Sequence, residues 1–279
     1  MSAMTESATR TQVLFRVQKL NKVYGDRVVL RDVNFEIKNV IVPGRTQGQV
    51  AALLGPSGRG KSQLFGIASG LIEPTSGTVE LWDGKAFIPT SPGLVGVVDQ
   101  KYTLFRDRRI GNALTYAAKK GGHPEAEWEP RARAMLKRFG LEDRWDAFPK
   151  ELSGGQRQRI AIAQQLLCSA HFLFMDEPFS GLDPNMKAEA MNLIMEVAAA
   201  DELMTIVVVT HDIGSAIKIS DELKLLGFER DAEGRAIPGS RIIEEIDLVA
   251  PGLAWDPNMT RLPAYHDMYN RVLDRFRTL

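Results

Sequence analysis

The chain has 279 residues, 44% hydrophobic and 25% charged, proportions that fit one large globular domain or a domain carrying a subdomain. Its 35 basic residues balance 35 acidic ones, so no net field points to nucleic acid or an anionic membrane as the main partner. The single Cys168 excludes an intramolecular disulfide framework, no Cys/His cluster has zinc spacing, and no run approaches the roughly eighteen apolar residues that span a bilayer. These features predict a reducing, cytoplasmic setting. Residues 1–11 are polar and lack the apolar core of a signal peptide, and they read as a disordered tail.

From Val13 to Val23 and from Val28 to Ile37, apolar and polar residues alternate, as in half-buried strands joined at Gly25-Asp26, with Tyr24 at the turn. Residues 39–47 form a Pro/Gly-containing connection. The apolar run Gln49 to Leu54 reads as a buried strand and feeds directly into Gly55, Pro56, Ser57, Gly58, Arg59, Gly60, Lys61 and Ser62. This is the complete phosphate-loop spacing, between a strand and a helix as the motif requires. The glycines let backbone N–H groups wrap phosphates, Lys61 places a positive charge on the β- and γ-phosphates, and the Ser62 hydroxyl can ligate magnesium. The helix ends near Gly70. A turn at Pro74–Gly77 precedes strand-like segments at Thr78–Trp82 and Leu94–Val98, the second ending at Asp99-Gln100. Residues 103–150 change character: Ile110–Lys120 and Pro124–Phe139 have helical periodicity, separated by the break Gly121–Pro124. This reads as a helical insertion, in which Leu104, Phe105 and Trp128 are either core or the wall of a partner groove.

At Leu152–Arg159 (LSGGQRQR), Ser153 and Gln156 have the spacing of a capping box. Gly154 and Gly155 follow in the first turn, although glycine costs roughly 1 kcal/mol against alanine in a helix interior. Two readings stand at this point: an ordinary cap with loop glycines, or bare N–H groups offered to a phosphate at the positive end of the helix dipole. The helix continues to about Leu167. Phe172–Met175 then reads as a strand buried on both faces, ending in Asp176 and Glu177 at the edge where open α/β sheets place ligands. Successive strand residues point opposite ways, so the two acids suit different roles, Asp176 holding magnesium and Glu177 a water beside the γ-phosphate. An amphipathic helix, Pro184–Ala200, leads to a buried strand, Thr205–Thr210, and then His211. Beyond Gly227 the sequence is polar over 229–240, alternates over Ile242–Leu248 as a possible edge strand, and ends in a helix, Pro263–Leu279, expected to dock on the preceding domain.

Taken together, GPSGRGKS, Gln100, LSGGQ, the acid pair Asp176-Glu177, SGLD at Ser180–Asp183 and His211 resemble, in the same order, the motifs of the ATP-binding cassette (ABC) ATPases. The resemblance covers roughly residues 13–227. It implies an α/β P-loop NTPase fold with a mostly parallel core sheet, an antiparallel β portion and an inserted helical subdomain at about 103–165, within a cassette of residues 12–228 followed by an extension, 229–279. It also implies that adenine stacks on Tyr24, that Gln63 stands where a second hydroxyl near the α-phosphate is usual, and that Asp99 replaces an apolar residue. Magnesium would be held by Ser62, Gln100 and Asp176, with Glu177 as general base and His211 on the γ-phosphate. Ser153, Gly154, Gly155 and Gln156 of one copy would close over ATP on Lys61 of another, with Asp183 in the loop that reaches across. The implied partners are that second copy, head to tail, an integral membrane permease and a solute-binding protein, with the ATPase peripheral on the inner face of the membrane. The stretch IDLVAPGLAW, Ile246–Trp255 with Asp247 second, resembles nitrate, sulfonate and taurine importer ATPases. A soluble non-transport ABC ATPase and a regulatory cassette are the other readings.

Overall fold

The computed structural model describes residues 9–41, 47–169, 171–256 and 258–279. Alternating apolar residues make β1 (Thr9–Tyr24) and β2 (Arg27–Ile41) a long antiparallel hairpin that sends Phe15, Val17, Leu20 and Leu30 into the core. All six residues of β3 (Gln49–Leu54) are buried, and the chain leaves this strand through the glycine-rich loop into α1 (Lys61–Ala68). β4 (Ser76–Trp82) and β5 (Phe87–Pro89) extend the antiparallel side, and β6 (Gly96–Val98) returns to the parallel side. Three helices follow: α2 (Ile110–Lys120), α3 (Trp128–Arg138) and α4 (Gly154–Cys168). They share one core cluster with the flank of the sheet, in which Ile110, Leu114, Leu136, Ile160 and Ile162 are buried. β7 (Phe172–Asp176), α5 (Pro184–Ala199), β8 (Thr205–Thr210) and α6 (Ile213–Ile219) complete the parallel part. β9 (Glu222–Arg230), β10 (Ala236–Asp247) and α7 (Pro263–Phe276) close the chain.

Among the described residues the strands form one sheet, ordered β5-β4-β1-β2-β10-β9-β3-β8-β7-β6. β3 pairs in parallel with both β8 and β9, and β7 pairs in parallel with β8 and β6; burial on both faces explains the largely apolar runs of β3, β7 and β8. The α/β fold with an antiparallel portion and inserted helices is therefore present. This order matters for chemistry: the carboxyl ends of β3, β8 and β7 are neighbours, so the glycine-rich loop, His211 and Asp176-Glu177 emerge side by side.

Several expectations need correction. Thr9–Thr11 belong to β1 rather than a tail, because Thr9 and Arg10 pair with Ile41 and Val40, and Arg10 bonds Glu222 and Asp247; residues 1–8 lie outside the described set. Of the 39–47 connection, 39–41 are the end of β2, and 42–46 are not described. Residues 242–247 are not an edge strand, since β10 lies between β2 and β9. A cassette ending at 228 would cut through β9, and much of 229–240 is strand because its polar residues line a hairpin closed at Asp231–Arg235. Trp128 is only partly buried; it packs on the helical cluster and its Nε1 donates to the His123 carbonyl at 2.7 Å. α7 docks as expected, placing Tyr265 and Val272 in a third cluster with Ile213, Ala216 and Ile217 of α6.

Candidate active site

Left-handed backbone at Gly58 (φ 80°) and Gly60 (φ 78°) curls the loop after β3, a shape that side-chain-bearing residues adopt at a cost. Lys61, the first residue of α1, turns back over this loop. Its ammonium is buried, donates to the carbonyls of Gly55 (2.8 Å) and Pro56 (3.2 Å), and stands 3.8 Å from Glu177 Oε1. Burial holds its pKa below the ordinary lysine value, against the upward pull of Glu177 and Asp176.

Asp176 ends β7 and Glu177 departs from it. Glu177 takes φ 49°, a left-handed conformation rare outside glycine, while its N–H still donates to Val209 O at 2.8 Å. The simple alternation expected from the sequence is thereby overridden, and the carboxylate lies toward β8. There Thr210 Oγ1 donates to Oε2 at 3.0 Å, and His211 Nδ1 sits 2.9 Å from Oε1. Burial and the adjacent Glu177 raise the Asp176 pKa; Lys61 and the Ser62 hydroxyl oppose this, while Asp99 adds to it. Lys61, Ser62, Asp176, Glu177 and His211 are thus one constellation. Thr210 is a member that sequence reading missed, and the available signal was a hydroxyl residue ending a buried strand just before His211.

Gln100 is exposed, and its Nε2 donates to Ser180 Oγ at 3.0 Å, linking its loop to the segment after Glu177 rather than to Asp176. Tyr102 reinforces that link by donating to Pro178 O at 3.0 Å, with burial raising its pKa to about 12. Asp99 acts locally, its carboxylate accepting from the N–H groups of Lys101 and Thr103 and from the Thr103 hydroxyl, which fixes the turn that presents Gln100. Gln63 also has a partner, as its Oε1 accepts from the Tyr24 hydroxyl at 2.8 Å. The ring of Tyr24 is half exposed, with Lys22 Nζ 4.7 Å from its centroid. Asp183 caps α5 by accepting from Asn185 N and Met186 N.

Ser153 and Gln156 form the reciprocal capping box at the start of α4, at 3.0 and 3.3 Å. Among the described residues each of these side chains accepts from the other residue's backbone N–H, and neither bonds Gly55–Gln63. Nothing among the described residues calls for glycine at the next two positions. A Cβ on Gly154 would meet only Met186 Cε at 3.9 Å, one on Gly155 would meet nothing within 4 Å, and neither has a positive φ.

The family model described as ABC transporter matches residues 33–180. The chain therefore belongs to the ABC transporter family, whose members bind ATP, and it is an ATPase whose hydrolysis is coupled to transport. It is 36% identical over 217 residues to the glutamate transport ATP-binding protein GluA of Corynebacterium glutamicum, covering 75% of this chain and 85% of that protein. It is 32% identical over 259 residues to the L-cystine transport system ATP-binding protein TcyN of Escherichia coli, covering 88% and 94%. In structure it resembles cbiO1 from Clostridium perfringens, part of the ABC transporter complex cbiONQ, with a TM-score of 0.70, 30% identity, and 92% and 99% of the two chains covered. These names give no support to a nitrate, sulfonate or taurine solute. Of the stretch that suggested it, Ile246, Leu248, Leu253 and Ala254 are packing residues, buried in the cluster under α6 and α7. No helix among the described residues is long and apolar enough to cross a membrane.

Proposed function

We propose that this chain is the ATP-hydrolysing subunit of an ABC importer, peripheral on the inner face of the membrane, working as a head-to-tail pair on a separate permease fed by a solute-binding protein. The observation that carries the catalytic reading is the carboxylate of Glu177, held between Thr210 and His211 and 3.8 Å from Lys61. In that position it accepts the proton of a water attacking the γ-phosphate, while backbone N–H groups of the loop and the Lys61 ammonium hold the phosphates. The half-exposed His211 ring orients Glu177 through Nδ1 and offers its other nitrogen to the γ-phosphate. Tyr24, steadied by Gln63, presents a face to the adenine.

Among the described residues no group of three or more His, Cys, Asp and Glu would cage a metal unaided. A magnesium site built from a hydroxyl, a carboxylate and substrate phosphates needs none. Ser62 and Asp176 would supply those donors, with Gln100 joining them from its loop on leaving Ser180, and the burial and acidic neighbours that raise the Asp176 pKa are what a cation would offset. When bound, magnesium neutralises charge on the β- and γ-phosphates.

The bare first turn of α4 supports a contact from outside the chain, a nucleotide held by a second copy. The names of the glutamate and cystine relatives support an amino acid as the solute, which stimulation of ATPase activity in liposomes holding the co-purified permease would identify. The direct test of the site is Glu177→Gln. This variant keeps ATP binding, loses hydrolysis by at least about a hundredfold, and accumulates as an ATP-bound dimer; hydrolysis at the wild-type rate would refute the assignment.

A further inference from the structure

Arg59 lies between the two left-handed glycines of the phosphate loop, where the backbone is least constrained by its own side chains. Its side chain points away from Lys61, toward the far end of the chain. Both Nε (3.0 Å) and one terminal nitrogen (2.7 Å) donate to the main-chain oxygen of Leu279, and the guanidinium lies 4.3 Å from the centroid of Phe228 in β9. Leu279 is itself buried, and the space it fills exists because residue 227 is glycine: a Cβ there would stand 2.7 Å from Leu279 Cβ. The preceding turn is tied down as well, by Arg230 Nε to Thr278 O at 3.3 Å. At the other end of the loop, Gly55 lies so close to β9 that a Cβ would stand 2.6 Å from Leu226 O. β9 therefore runs beneath the loop, and the segment after α7 is wedged between β9 and Arg59.

We infer that Arg59 is a positioning residue for ATP binding: its clasp on Leu279 and Phe228 holds the phosphate loop in its nucleotide-ready curl before any nucleotide arrives. A loop with two left-handed glycines has many conformations to lose on binding, and an anchor between them removes part of that loss in advance. The planar guanidinium suits this role because it forks onto one oxygen and stacks on the ring at once, which a lysine ammonium does not reproduce. The inference rests on the reading of this loop as the ATP phosphate site, so its first measurement uses no nucleotide.

Hydrogen exchange of the Ser57–Gly60 amides, without nucleotide, is compared in the wild type, Arg59→Ala, Arg59→Lys, Gly227→Ala and the Arg59→Ala/Gly227→Ala double variant. Exchange speeds up about tenfold in Arg59→Ala and equally in Gly227→Ala, which expels Leu279 with Arg59 intact; Arg59→Lys falls between, and the double variant is no faster than either single one. Titration with trinitrophenyl-ATP then shows Kd raised about tenfold in the same variants, and ATPase assays show KM raised with kcat unchanged. Unchanged loop exchange in Arg59→Ala, or additive losses in the double variant, would overturn the clasp. A wild-type protein that failed to bind trinitrophenyl-ATP would overturn the phosphate-site reading instead, leaving the exchange result as a property of the loop.

Discussion

Asp221 lies just ahead of β9, fully buried, with its Oδ2 accepting the Val50 N–H of β3 at 2.7 Å. Burial, reinforced by the charge of Glu222, pushes its pKa up to about 8 from 3.8. Between these values the folded protein keeps a proton that the unfolded chain has lost, so this residue's contribution to stability falls as pH rises from about 4 to about 8 and is level above that. Asp221→Asn keeps a neutral oxygen acceptor for Val50 and removes the titration. The variant should lie within about 1 kcal/mol of the wild type near pH 5, and its melting temperature relative to the wild type should rise from about pH 5 to about pH 8. An equal difference at both pH values would show that Asp221 does not carry this proton. Asp221 reads as an unremarked acid in the sequence because its burial is decided by strands distant along the chain. Glu177 was legible, since an acid pair ending an apolar strand stands out, but its left-handed turn and the bond from Thr210 arise only when β7 and β8 pair.

At the level of elements, legibility followed the continuity of the apolar pattern. The uninterrupted runs that became β3 and β8, and the amphipathic spacing of α2, were recognisable to their ends. β9 was not, because ELKLLGFER puts Glu222 and Lys224 inside what is in fact a buried strand. Lys224 is 2% exposed and is satisfied by Glu36 O, Glu222 and Glu245, so its charge sits in the sheet as an internal tie. Two of these three partners come from β2 and β10, which local sequence cannot reveal. α6 escaped notice for a different reason: it has seven residues, and only the Asp212 cap on Ser215 marks its start. The β9 tie has a measurable consequence. Lys224→Ala leaves the largely buried Glu222 with Arg10 alone as counter-ion among the described residues, and should lower unfolding free energy by about 2–3 kcal/mol, less than a fully buried pair because the Glu245 side chain is 49% exposed. Urea denaturation measures this, and a loss below about 0.5 kcal/mol would place the network among surface pairs.

For the molecule as a whole, the proposed function makes the phosphate loop and the start of α4 each half of a binding site, and among the described residues neither bonds the other. In the proposed head-to-tail pair a twofold axis would join each loop to the other copy's α4 and would make the two composite sites equivalent. That pairing would give the capping box a second use. Among the described residues the Ser153 hydroxyl accepts from Gln156 N alone, at a long 3.3 Å, so it can be shared with a phosphate at little loss to the helix. Ser153→Arg separates the two uses. Loss of the cap lowers stability by about 1 kcal/mol, a modest drop in melting temperature, and leaves Lys61 and the glycine-rich loop untouched, so nucleotide binding keeps its wild-type affinity. A long cation in place of the hydroxyl blocks the close approach that Gly154 and Gly155 allow, so light scattering should show a monomer at saturating ATP even when Glu177→Gln is added to suppress hydrolysis. A nucleotide-dependent dimer in that double variant would mean that α4 does not face the partner's ATP and that the pairing follows some other surface.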